Sequence, residues 1–210
     1  MKPVNDEYNT IQGETKAETR VQGSRFLAAA FPILTKDDAE AFISRIRKSL
    51  HDATHHCYAY RIGTEERQFR FNDDGEPAGS AGKPILAAID GLHLTDVIVV
   101  VTRYFGGTKL GVGGLVRAYS GAAGAALSMA RVVTKYQTGV IRASFPHSCI
   151  SNVMHVIAKL DACIVNTLYD EEVHLDIEIR TSRSDELASA LIEHTSGNVK
   201  LKLKEGEGTR

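Results

Sequence analysis

Ten residues in the middle of the chain, DVIVVVTRYF (96–105), form an apolar run with no alternation. A strand of this kind has no polar face to give to solvent, so the run predicts a central strand of a sheet. It leads straight into GGTKLGVGG (106–114), which has five glycines in nine positions, and then into the Gly/Ala-rich helix pattern GGLVRAYSGAAGAALSMAR (113–131). Strand, bare turn and helix in this order place free N–H groups and a helix start at the end of the central strand. That geometry favours anions through backbone donors and the helix dipole.

The candidate anion-binding residues are Arg103, Tyr104, Phe105, Gly106, Gly107, Lys109, Gly111, Gly113, Gly114 and Arg117. The arginines can add charge-assisted hydrogen bonds. Known nucleotide motifs do not fit. Gly111 and Gly113 match the first two glycines of the dinucleotide pattern, but the third position is Val116 and no acid follows before Asp161. Lys109 precedes Leu110, not Ser or Thr, so a phosphate-binding loop of the nucleoside-triphosphatase type is absent. The competing reading is a tight turn that needs positive φ and holds no ligand. Glycines inside the helix cost roughly 1 kcal/mol each against alanine, so that helix is expected to pack very close to the sheet.

Charge is distributed unevenly. The 210 residues carry a net charge of −1, yet none of the acids lies between Val97 and Leu160, where Arg103, Lys109, Arg117, Arg131, Lys135, Arg142 and Lys159 occur. A basic surface on a neutral chain points to an anionic partner at one face, unless the stretch is simply buried. No run of about 18 apolar residues exists, so no membrane span is expected. The polar start MKPVNDEYNT lacks the apolar core of a signal peptide, and Cys57, Cys149 and Cys163 form no CxxC pair. A cytoplasmic location is the expectation.

Residues 1–17 read as a loose tail, followed by a strand at about 23–33. Thr35 opens a helix in capping-box spacing with Asp38. HHCYAYRIG (55–63) reads as a strand and KPILAAIDGL (83–92) as a short helix. Beyond about 137 the pattern is strand, helix, strand, strand, helix, strand, with Val173, Leu175, Ile177 and Ile179 on one face and Ser184 capping the last helix. This is the split βαββαβ arrangement of a ferredoxin-like domain. The class is α+β, with an N-terminal domain at 18–135 and a ferredoxin-like C-terminal domain at 137–205.

A possible second site lies in NDDGEPAGSAG, where Asp73, Asp74 and Glu76 share a turn, with His55 in the preceding strand. Three carboxylates can hold Mg²⁺ with waters, whereas Asp-Gly and Glu-Pro are ordinary turn dipeptides. Ser80 is read as the cap of the next helix; AGSAG misses a nucleophile elbow because position 78 is Ala. His55 and Cys57 share one strand face and His56 takes the other, with too few ligands for zinc. No cofactor or metal is indicated.

Three ordered segments resemble the IMPACT/YigZ family: Ala53-Thr-His55-His-Cys57-Tyr-Ala59-Tyr60, then DDGEPAGSAG, then VVVTRYFGGTKLGVGGLVRAY, with Gly23-Ser24-Arg25-Phe26 similar to the family's opening strand. Ser80, Asn72 and Thr108 depart from its usual residues. The resemblance implies an N-terminal domain similar to domain IV of elongation factor G and a C-terminal domain similar to its domain V. It also implies a link to translation or its regulation. The resulting expectation is a non-catalytic binding protein that contacts RNA or a ribosome-associated factor through the basic glycine loop, with no membrane partner and no small-molecule substrate indicated. The alternatives are a metal- or phosphate-dependent enzyme built on Asp73, Asp74 and Glu76, and a protein-interaction module whose motifs are purely structural.

Overall fold

The computed structural model describes residues 6–64 and 68–204. The chain divides into two compact units, one at Tyr8–Lys135 and one formed by 136–204 with residues 6 and 7.

In the first unit the strand order is β2 (Thr15–Val21), β3 (Ser24–Pro32), β6 (Val97–Tyr104), β4 (His55–Ile62) and β5 (Gln68–Asn72), with every neighbour antiparallel. β6 is the middle strand and is buried from Val97 to Arg103, which is what its unbroken apolar run requires. Helix α1 (Lys36–Ser49) covers one face and packs Phe42, Ile43 and Ile46 on Ala29, Tyr58, Ile98 and Val100. Thr35 and Asp38 form a reciprocal capping box at its start. Helices α2 (Gly82–Gly91) and α3 (Gly111–Ser128) cover the other face, over Phe26, Ala28, Cys57, Val99 and Val101.

The segment read as a loose tail differs. Residues 7–11 form β1 (Glu7–Ile11), which pairs with β7 (Val132–Tyr136) in a separate two-stranded ribbon, and β2 begins at Thr15. Short alternating strands at a sheet edge carry few apolar residues, so Thr15–Val21 resembles a polar tail in sequence. The described part of residues 1–17 begins at Asp6.

The glycines of α3 also behave unlike their expectation. The buried stripe is Leu115, Ala118, Tyr119, Ala122, Ala123 and Ala126, so alanines make the close approach to the sheet. Gly121 and Gly124 have nothing within 4 Å of the position a Cβ would take. Gly121→Ala and Gly124→Ala are therefore each expected to stabilise the unit by roughly 1 kcal/mol, the helix-propensity difference with no clash set against it. Urea midpoints at unchanged m-value measure this.

The second unit orders its strands β11 (Lys200–Lys204), β8 (Thr138–Phe145), β10 (Val173–Arg180) and β9 (Cys163–Tyr169), all antiparallel. Val173, Leu175, Ile177 and Ile179 meet Val153, Val156, Leu187 and Leu191 from α4 (Ile150–Lys159) and α5 (Ser184–His194). This is the split βαββαβ topology. Ser184 does not cap α5: it is the first helical residue, and the N-cap residue Arg183 makes no side-chain cap hydrogen bond. Among the described residues, no helix is long and apolar enough to cross a membrane.

Candidate functional site

At the C-terminal end of β6 the chain passes from a buried side chain to an exposed loop within three residues. Arg103 is only 5% exposed. Its Nη1 donates to Glu76 Oε1 at 2.7 Å and its Nη2 to Ser24 Oγ at 3.3 Å. Glu76, from the acidic turn, also accepts the Tyr119 hydroxyl at 2.7 Å, and His55 Nε2 lies 4.0 Å from the same oxygen. The Arg103 guanidinium is sandwiched, 5.6 Å from the Phe26 ring centroid and 5.4 Å from that of Phe105. An ion pair this dry stands against its desolvation cost only because further hydrogen bonds hold it.

The network ties the two loops together. Ser24 Oγ, which meets Arg103, also accepts the Gly106 N–H at 3.2 Å, and Thr54 Oγ1 accepts that of Phe105 at 3.2 Å. A Cβ on Gly106 would sit 1.9 Å from the Gly23 carbonyl carbon, so backbone packs directly on backbone here. Gly107 and Gly111 have φ of +86° and +66°, as a bare turn requires.

The remaining loop residues face solvent. Phe105 is 48% exposed, and Gly106, Gly107, Thr108 and Lys109 are exposed. In the first turns of α3, Gly111, Val112, Gly113, Val116 and Arg117 are exposed and Gly114 is half-buried. Among the described residues no side chain caps α3, and its first turn has no acid. Arg117 Nη1 lies 3.7 Å from where a Gly113 side chain would begin, over that first turn. Among the described residues, neither Lys109 nor Arg117 makes an ion pair, unlike Arg103. Tyr104 is held by Asp52, which accepts its hydroxyl at 2.8 Å, and by Arg25, 4.7 Å over its ring. The sequence grouped all these residues; the structure divides them into a buried anchor (Arg103), a tethered ring (Tyr104) and an exposed surface.

The acidic turn is likewise divided. Asp73 accepts N–H groups from Gly79 at 2.8 Å, Ala81 at 3.0 Å and Gly82 at 2.8 Å, and so caps α2. Burial alone would raise its carboxyl; those donors outweigh it and hold the group below the ordinary value. Ser80, expected in this role, instead donates to the Pro77 carbonyl at 2.7 Å. Asp74 meets Arg47 and the His56 N–H, both at 2.6 Å, and Glu76 meets Arg103 and Tyr119. The His55 Nδ1–H donates to the Asp74 carbonyl at 2.7 Å. The carboxylates thus diverge, and among the described residues no group of three or more His, Cys, Asp or Glu is placed to hold a metal ion. Burial pushes the Cys57 thiol up to about 12, which keeps it protonated and a poor nucleophile.

Ser24 and Tyr119 join this network without a chemical signature of their own in the sequence. Both lie inside the segments that resemble the family, and Tyr119 falls on the buried stripe of α3, where a tyrosine needs a polar partner.

His56, buried on the α1 face with Nδ1 3.0 Å from Thr102 Oγ1, is pushed below its ordinary value by desolvation. The unfolded chain then binds the proton more tightly than the folded one. Stability is full above the ordinary value near 6.5 and falls as pH drops below it toward the folded value. Urea midpoints at pH 7.5 and about 5.5 should differ more for wild type than for His56→Gln.

A family model described as "Impact N-terminal domain" matches residues 22–127, which hold the Arg103–Glu76 pair and the whole glycine loop. The chain belongs to the IMPACT family. A second model, "Domain of unknown function (DUF1949)", matches residues 144–198. The chain is 33% identical over 202 residues to the IMPACT family member YvyE of Bacillus subtilis, covering 96% of this chain and 92% of that protein. Protein IMPACT of Xenopus laevis is 37% identical over 106 residues, 48% of this chain and 32% of that longer protein. A solved crystal structure described as a hypothetical protein aligns with a TM-score of 0.75 at 29% identity, covering 97% of this chain and 100% of that one.

Proposed function

We propose that this IMPACT family chain is a non-catalytic binding protein linked to translation, and that the 105–117 surface engages RNA phosphates on the ribosome. One observation carries the reading: Lys109 and Arg117 are exposed and make no ion pair among the described residues, beside the uncapped start of α3. They lie in a stretch of the chain without acids. Phosphates fit such a surface through charge and through the free N–H groups of a helix start. The likeness to elongation factor G domains IV and V that the family resemblance implies supports the translation link. Arg103 serves here as the anchor of the loop, not as a contact. The enzymatic alternative loses support because each carboxylate of the acidic turn already has its own structural partners.

Cosedimentation with ribosomes from lysate at low and moderate salt tests this. Wild type should pellet at low salt and be released as salt rises, and a Lys109→Ala/Arg117→Ala variant should stay largely in the supernatant at both. For purified RNA, the salt slope should fall by about 1–2 in that variant. Pelleting equal to wild type in the variant would refute the assignment.

A further inference from the structure

Phe105 is an aromatic side chain at the base of this loop that stands half in solvent, at 48% exposure. Its placement is fixed from beneath. The Arg103 guanidinium lies 5.4 Å from its ring centroid, and Arg103 is itself immobilised by Glu76 and Ser24. Its own N–H is held by Thr54, and the next residue's by Ser24. The ring therefore rises from an anchored backbone, with a cation on one side and solvent access besides. Tyr104 is less available, because its ring is partly buried and Asp52 holds its hydroxyl. Lys109 and Arg117 follow in the same loop and the helix after it, exposed and free of ion pairs among the described residues.

We infer that Phe105 stacks on an unpaired base while Lys109 and Arg117 hold the flanking phosphates, so that the ligand is a single-stranded nucleic acid and not a duplex. A paired base keeps its faces inside the helix stack and offers an aromatic ring nothing to cover. An unpaired base has a free π-face, and stacking on it tolerates any sequence. This inference rests on the binding reading above and narrows it to one class of ligand. Phe105 has a structural alternative, as a simple cover over the buried Arg103.

Fluorescence anisotropy separates the two. The probes are end-labelled 12-residue oligouridylate, oligothymidylate of the same length and a 12-base-pair RNA duplex, at about 50 mM salt. Both single strands should bind at least about 10-fold more tightly than the duplex. A preference for oligouridylate over oligothymidylate identifies RNA as the natural source, and equal binding identifies the base and phosphates alone; either agrees with stacking. Phe105→Ala should weaken single-strand binding roughly 10-fold with an unchanged salt slope, the size expected for one stacked base. Phe105→Leu, which still covers Arg103, should lose as much, and Phe105→Trp should bind like wild type. Melting temperatures show which variants remain folded. Salt-dependent binding in which the duplex equals the single strands, or in which Phe105→Leu binds like wild type, would overturn stacking and leave the basic surface standing. No binding to any probe at low salt would overturn both.

Discussion

Glu76→Ala is expected to destabilise the N-terminal unit by about 3–5 kcal/mol, the cost of leaving a buried charge without its partner. Glu76 and Arg103 have side chains only 4% and 6% exposed, and the pair is 2.7 Å apart. Removing the carboxylate strands the guanidinium between two phenyl rings and also orphans the Tyr119 hydroxyl. The cost comes from the orphaned groups more than from any net attraction, and this can be tested. A Glu76→Leu/Arg103→Met/Tyr119→Phe variant, with the carboxylate, the guanidinium and the hydroxyl all removed, should recover most of the loss, because apolar replacements of buried ion pairs are often neutral or better. Urea unfolding followed by circular dichroism gives both values. A loss below about 1 kcal/mol for Glu76→Ala would mean that water reaches Arg103 and that the pair is not dry.

Gly106→Ala is expected to cost more than about 3 kcal/mol, beyond the usual range for overpacking. The added methyl would lie 1.9 Å from the Gly23 carbonyl carbon and 2.3 Å from the Ser24 nitrogen, and no side-chain rotation relieves a collision between two backbones. The segments must separate, which breaks the Ser24 bond to the Gly106 N–H and displaces the loop. Ribosome or RNA binding should fall with it. A melting temperature within about 2 °C of wild type would contradict the packing described, since a penalty of this size shifts the midpoint by many degrees.

The two predictions concern residues that the sequence displayed openly and explained poorly. The central strand was legible because seven successive buried residues leave no alternation to misread. The C-terminal unit was legible because Val173, Leu175, Ile177 and Ile179 alternate cleanly and turn signals separate the elements. The glycine run was harder. Its five glycines looked alike, but Gly106 is bare for contact with Gly23, Gly107 for its backbone angle, and Gly113 leaves the helix start open. Contacts across about 80 residues decide this, and local patterning does not contain them. Arg103 and Lys109 likewise read as one basic cluster, although strand alternation sends Arg103 inward to a partner 27 residues earlier. The capping of α2 was misplaced for the same reason. Ser80 has the local position of a cap, and Asp73, nine residues before Gly82, does the work. The edge strand β2 was missed because a strand with one solvated side and few apolar residues resembles a tail.

Amide hydrogen exchange of the intact chain, with and without ribosomes at low salt, tests the central claim most directly. New protection is expected at 105–117, falling away as salt is raised. Protection confined to other segments, with 105–117 exchanging as in the free chain, would contradict the assignment of that surface.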